Sequence, residues 1–416
     1  MQPLDLVIDR ARLTTGATCS ICIAAGHIVA MPENGADLPA ARERIDIGGA
    51  LVLPGLIDGH NHLDTTFLGD VWRPHQRCTA GFDLGERLAI QKEWLARGAP
   101  LEKRASALIE RAVSRGTTHI RTHVEVDPDF GLRHLEGIVA LRERYCDAVS
   151  IQIVGLGRGL IVRPGTRELL DEALTQGADL VGGLDPAGFE GDIEGHLDVV
   201  FALAERHATG IDLHLHDGGH LGLFTLDRIA ERTRLAGLGG HVAVSHAYAL
   251  GEVSNDAMLE TAERLAAANV AIMTNAPGDH PFPPIAALRA AGVTVFAGND
   301  DIRDSWWPYG DGDMLERAMM IGYRSGFYTD AELACAFDMI TDAAAGVLHI
   351  PDYGIEVGSA ADLAIVDARH AQEAIVARPI RRAVYKAGRL VAREGTFLPE
   401  AGSAPSATLH PNLAGV

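Results

Sequence analysis

Along the middle of the chain, short apolar runs alternate with longer stretches of helical periodicity. The runs at 51–58, 117–124, 149–156, 178–184, 210–216, 241–246, 269–274 and 293–298 read as strands. Between them, Leu101–Ser114, Leu132–Tyr145, Arg167–Gln176, Gly195–Arg206, Asp256–Asn269 and Ala286–Ala291 repeat apolar residues every three or four positions and read as helices. Near-continuous apolar strands belong to parallel sheets whose two faces are both covered. Eight such strands, separated by helices, predict a closed (β/α)8 barrel rather than an open sheet. The two ends of the chain have another texture. Leu4–Ile8, Ile21–Ala24, His27–Met31 and Ile45–Ile47 at one end, and Leu363–Val366, Ala383–Lys386 and Leu390–Arg393 at the other, are short strands joined by turns. The expected fold is therefore α/β: a TIM-like barrel over 51–355, a small β-sandwich made by 1–50 together with 356–398, and a Pro/Ala/Ser/Gly tail over 399–416 that is loosely attached.

Composition narrows the partners. The chain has 416 residues, well beyond the roughly 250 of a bare barrel, which leaves room for the second unit. Its net charge of −20 would repel nucleic acid and anionic membranes, though it does not argue against a small heterocycle entering a local pocket. The five cysteines (Cys19, Cys22, Cys78, Cys146 and Cys335) show no zinc-ribbon spacing and read as reduced thiols. Residues 1–30 hold no basic segment followed by a long apolar run, and no stretch approaches 18 consecutive apolar residues. The expectation is a cytoplasmic enzyme, with a homo-oligomer left open.

In a parallel barrel the chemistry sits where strands end and βα loops begin. The first strand runs into Asp58-Gly-His60-Asn-His62, and strand parity puts both imidazoles on one face. One such pair carries little weight in a chain with 18 histidines. The fifth strand, however, ends in His214 and His216, the sixth in His246, and the eighth in Asp300 and Asp301 directly after an apolar run. A carboxylate there costs several kcal/mol to bury unless it is paired or bound to metal. Four strand ends offering imidazole or carboxylate ligands point to a metal centre.

These residues carry a likeness. "LPGLIDGHNHLD", "RTHVEVD", "DLHLHD", "VAVSHA" and "GNDDIRDSWWPYGDGDM" resemble the cytosine-deaminase-like branch of the amidohydrolase superfamily, in order and spacing, over nearly the whole chain. The resemblance implies one divalent metal, Zn²⁺ or Fe²⁺, held by His60, His62, His214 and Asp300, with His246 beside it to orient water or substrate. Three imidazoles and a carboxylate suit either ion and leave a position for water, whose proton Asp300 can take. Binuclear members bridge two metals with a lysine at the fourth strand; here that strand ends Gly182-Gly-Leu-Asp-Pro186, so a single metal is expected.

Departures from the pattern locate the open questions. A glutamate that shuttles protons in cytosine deaminases is replaced by Asp217, beside His216; parity favours His216 as general acid/base, with Asp217 the alternative. A ring-reading glutamine is replaced by Arg158, which either has an internal partner such as Asp185 or Asp217, swings out to solvent, or takes its counter-charge from an anionic substrate. Thr65 stands where triazine-acting members carry lysine, and Trp72 and Trp306 are candidates to stack on a flat ring. His123 reads as supporting the ligands and His119 as core or helix-facing. Asp185 reads as a turn or helix cap. The implied reaction replaces an exocyclic amine on a pyrimidine- or triazine-like ring with water-derived oxygen. The alternatives are hydrolysis of a cyclic amide at the same metal and a silent binding protein on this fold.

Overall fold

A computed structural model describes residues 4–79, 83–278 and 280–399. Eight parallel strands form the barrel: β1 (Leu56–Asn61), β2 (Thr117–Val126), β3 (Ser150–Gly157), β4 (Leu180–Leu184), β5 (Gly210–Leu215), β6 (Val242–His246), β7 (Val270–Thr274) and β8 (Val295–Ala297). They pair in sequence order from β1 to β8. The ring closes where the Asp300 amide donates to the His60 carbonyl at 2.8 Å, opposite Asn61. Helices cover the outside, and their starts follow the capping residues: Asp192 accepts from the Gly195 amide, Ser254 from Ala257, and Thr329 with Glu332 forms a reciprocal cap.

Both chain ends enter one nine-stranded sheet, in which Leu4–Arg12 pairs with Thr18–Ala24, with Ala41–Asp46 and with Leu51. Alternation in its strands separates two faces. Leu51, Leu53, Ala364 and Val366 join the barrel's own core. Val52, Leu363, Ile365 and Tyr385 face Leu6, Ile8, Ile21 and Ile23 in a second core. The run at 51–58, expected as one barrel strand, is two strands. Leu51–Pro54 pairs antiparallel with Leu363–Val366, and β1 begins only at Leu56. Gly55 is the crossing point between the sheets; a Cβ there would stand 2.1 Å from Thr118 Oγ1, so a larger residue cannot pass.

Further helices, among them Leu84–Arg97, Gly219–Ala236, Met314–Ser325 and Asp330–Asp338, add to those read from the sequence. Of the expected tail, 400–416 lie outside the described residues. Among the described residues no helix is long and apolar enough to cross a membrane.

Candidate metal centre

The ends of β1, β5 and β8 bring His60, His62, His214 and Asp300 together, all buried, with four ligand atoms within 4.8 Å of one another. Asp300 Oδ1 lies 3.3 Å from His60 Nε2 and 3.4 Å from His62 Nε2, and His62 Nε2 lies 3.3 Å from His214 Nε2. Tetrahedral ligands at about 2.0–2.1 Å from one ion would stand roughly 3.3 Å apart, so the spacing fits a single zinc-sized cation. His60 Nε2 is buried with no hydrogen-bond partner, as a ligand atom would be. Burial works against charge on His62, yet Asp300, Asp301 and Asp64 push its pKa up to about 9. Burial instead holds His60, His214 and His246 below the ordinary histidine range, in the neutral form that coordinates.

The ligands are held from behind. His62 Nδ1 donates to the His123 carbonyl at 3.2 Å, which leaves Nε2 bare. Asn275, at the end of β7, donates to Asp300 Oδ2 at 2.7 Å and so directs Oδ1 toward the imidazoles. His60 Nδ1 meets Ser245 Oγ at 2.9 Å. The His123 ring packs 3.9 Å from the His60 ring, centroid to centroid, behind the quartet. His119 lies away from it, against Lys386 Nζ at 3.2 Å, where barrel and end sheet meet. Asp300 and His246 hold φ of 62° and 74°, left-handed values that cost non-glycine residues energy and that cluster at functional sites.

Around this core the other candidates separate. His246 Nδ1 lies 4.0 Å from Asp300 Oδ2, and its ring stacks on His216 at 4.4 Å. His216 keeps 37% of its side chain accessible, and its Nδ1 donates to both oxygens of Asp185 at 3.1 Å. Desolvation opposes a charge on His216, but Asp185, with Asp300 and Asp301, outweighs it and raises the pKa above the usual value. Asp185 also accepts from the His216 amide at 2.6 Å and itself sits at φ 40°. It opens the turn after β4, as expected, but its carboxylate is committed to His216. Asp217 points the other way and accepts from the amides of Ala187 and Gly188 at 2.9 and 2.7 Å.

Arg158 has an internal partner, but neither Asp185 nor Asp217 as expected. Its Nη1 lies 2.7 Å from Glu125 Oε1, and both groups are almost fully buried. Gln91 Nε2 donates to the same carboxylate at 2.5 Å, while Trp306 Nε1 donates to the Gln91 carbonyl. The Trp306 ring lies 5.8 Å from the Arg158 guanidinium, a cation–π distance. Trp72 is 68% exposed and lines a cavity of about 120 Å³ with Phe67, His75, Trp94 and Arg303, a lining that includes none of the quartet. Thr65 is buried in the loop after β1. Sequence reading missed Glu125, Gln91, Ser245, Asp212 and Asn275. Of these, Glu125 near the end of β2 and Asp212 inside β5, carboxylates within strands read as buried, carried a signal of their own.

The amidohydrolase family model matches residues 101–392. The chain is 33% identical over 365 residues to N-isopropylammelide isopropyl amidohydrolase of Pseudomonas sp. (strain ADP), covering 85% of this chain and 89% of that protein. Among solved structures it superposes with TM-score 0.90 on N-isopropylammelide isopropylaminohydrolase of Burkholderia multivorans, at 40% identity over 94% of this chain and 99% of the other. It superposes with TM-score 0.81 on 5-methylcytosine deaminase of Klebsiella pneumoniae liganded with 5-fluorocytosine, at 25% identity over 93% and 97%. With the barrel, the end sheet and the histidine–aspartate quartet in place, these matches establish that the chain belongs to the amidohydrolase family, and that it is a hydrolase of carbon–nitrogen bonds other than peptide bonds.

Proposed function

We propose that the protein is a single-metal aminohydrolase that replaces an exocyclic amine on a neutral, planar nitrogen heterocycle, pyrimidine- or triazine-like, with oxygen from water. The observation that carries this reading is the quartet's spacing, 3.3–3.4 Å between neighbouring donor atoms, beside an accessible and oriented His216. Relatives named for N-isopropylammelide and 5-methylcytosine support the substrate class.

A zinc or iron ion held by His60, His62, His214 and Asp300 would act as a Lewis acid and make water more acidic and more nucleophilic. Asp300, its Oδ2 held by Asn275, is the carboxylate that would accept a proton from the attacking water. His216, its Nδ1–H fixed on Asp185, presents Nε2 to the mouth and carries a proton to the departing amine. Water's oxygen adds to the ring carbon first. The carbon–amine bond then breaks with its electron pair leaving on nitrogen, which takes its proton from His216. The proton accepted by Asp300 returns to His216, so that the amine departs neutral and the side chains are restored. Asp217 organises the loop after β4 through its two backbone bonds rather than carrying protons.

The neutral-ring part of the reading rests on Arg158. Glu125 already balances its charge, so the wall next to Trp306 asks for no anion from the substrate. The test is a screen of metal-replete protein against aminated heterocycles, with free ammonia and alkylamines measured. Amine release without ring opening supports the proposal; ring opening identifies a cyclic-amide hydrolase, and neither product across the panel overturns it.

A further inference from the structure

Below the quartet, toward the opposite end of the barrel, a second layer of inward-facing polar side chains runs across four strands. Arg121 on β2, Asp212 on β5 and Ser245 on β6 are all buried, and each is bonded to the next. Arg121 Nη1 donates to Asp212 Oδ2 at 2.9 Å; Ser245 Oγ donates to Asp212 Oδ1 at 2.8 Å; His60 Nδ1 lies 2.9 Å from Ser245 Oγ. Arg121 is anchored in turn, by Nε on Gln152 Oε1 at 2.8 Å and by Nη2 on the Val347 carbonyl at 3.1 Å.

The direction of every proton in this row follows from what each group can do. Arginine only donates, and a carboxylate facing it only accepts. Asp212 therefore takes the single hydroxyl proton of Ser245. That leaves the Ser245 oxygen with lone pairs alone toward His60, so His60 Nδ1 must be the protonated nitrogen. Its other nitrogen, Nε2, is then unprotonated, and it is the buried, partnerless atom that faces Asp300.

We propose that Ser245 and Asp212, anchored by Arg121, are positioning residues that lock His60 in its Nδ1–H tautomer and so hold Nε2 ready for the metal. The inference rests on the single-metal reading above. The row also settles the fate of a second cluster, His60, His123 and Asp212, whose ligand atoms lie equally close together. Asp212 already carries the Arg121 cation and the Ser245 proton, so that cluster holds a guanidinium's charge rather than a second ion. The far end of the row reaches a cavity of about 220 Å³ lined by Arg121, Gln152, Asp179, His241 and His349, which sets the tautomer lock between that cavity and the metal layer.

The test uses the full chain with ¹⁵N-labelled histidine, and compares wild type with Ser245→Ala, Ser245→Thr and Ser245→Cys. Two readouts apply: the His60 tautomer by long-range ¹H–¹⁵N correlation on metal-stripped protein, assigned by the signal lost in His60→Gln, and zinc affinity by competition with a chromogenic chelator. Wild type is expected to show His60 protonated at Nδ1. Ser245→Ala should show a tautomer mixture and bind zinc about 10–100-fold more weakly, the usual effect of losing such a partner. Ser245→Thr keeps the hydroxyl and should restore both. Ser245→Cys fills the same volume with a weak acceptor and should follow alanine, which keeps the test available if the alanine variant does not fold. An unchanged tautomer and affinity in folded Ser245→Ala or Ser245→Cys overturns the proposal, as does an equal loss in Ser245→Thr. Wild type that binds neither Zn²⁺ nor Fe²⁺ overturns the single-metal reading instead, and the tautomer measurement still decides the positioning role by itself.

Discussion

Gly298→Ala perturbs the barrel where it closes and where the site is built. A Cβ at 298 would stand 2.5 Å from the Cβ, the amide nitrogen and the carbonyl oxygen of His60. Ordinary contacts need about 3.5 Å, so β1 and β8 would have to part by roughly 1 Å, since no rotamer change moves any of these three atoms. Overpacking of this kind costs about 1–3 kcal/mol. The Asp300-to-His60 backbone bond spans the same seam, and losing it adds about 1 kcal/mol. Because His60 and Asp300 both shift, a displacement near 1 Å should also lower turnover about 100-fold. The assay is urea unfolding of metal-stripped and zinc-loaded protein, with zinc affinity and amine release measured alongside. The control is Gly346→Ala: that glycine lies in the helix Asp342–Val347 with nothing within 4 Å of a new Cβ, and alanine there should be neutral or stabilising. If Gly298→Ala unfolds at the wild-type urea concentration with wild-type zinc affinity, β1 and β8 are not pressed together as described and the steric argument fails.

Four further outcomes are expected. Stripping the metal should abolish hydrolysis and one equivalent of Zn²⁺ or Fe²⁺ per chain should restore it; two tightly held ions per active chain by elemental analysis would contradict a single centre. His216→Ala should lower kcat about 10²–10⁴-fold with metal content kept, whereas Asp217→Asn should mainly lower stability, since one of the Ala187 and Gly188 amides loses its acceptor; the reverse ranking in kinetics would make Asp217 the shuttle. Arg158→Gln leaves Glu125 buried without its cation, so kcat/KM should fall on neutral and anionic rings alike, and a loss confined to anionic rings would show that the substrate supplies the counter-charge. Burial works against ionisation of Asp70, but the amides of Ala99 and Val71 and the Arg73 guanidinium hold its pKa down to about 2 against an ordinary 3.8. Its contribution is therefore present above pH 4 and lost as pH falls through 2, and Asp70→Asn should flatten stability across that window in acid-unfolding curves.

The barrel was legible because most of its strands, covered on both faces, are short apolar runs, and the histidines ending several of them stand out. What the residues could not reveal was partnership across strands distant in sequence. Asp185 in Gly-Leu-Asp-Pro looks like a turn residue, and nothing local shows that it meets a histidine 31 positions later. Arg158 demanded a counter-charge, but Glu125 sits on the neighbouring strand, 33 positions earlier, and only the β2–β3 register brings the two together. Leu51–Ile57 is interrupted only by Pro54-Gly55, so the passage from one sheet to the other left little trace in hydrophobicity. Gly219–Ala236 hides its helical start behind Gly218, Gly219 and Gly222.

The seam between β1 and β8 sets an order on how this protein comes into being. His60 and Asp300 are 240 positions apart, and their backbones bond directly. Bringing together the ends of so long a loop costs about 5 kcal/mol of chain entropy, which the six intervening strands recover only as each docks on the last. During synthesis the first strand must therefore wait, with its histidines bare, until the eighth has emerged. No truncation that stops short of residue 300 can assemble the quartet, however much of the barrel it contains. The Asp300 amide, slow to exchange its proton only once the ring has shut, reports the moment at which a folded chain becomes an enzyme.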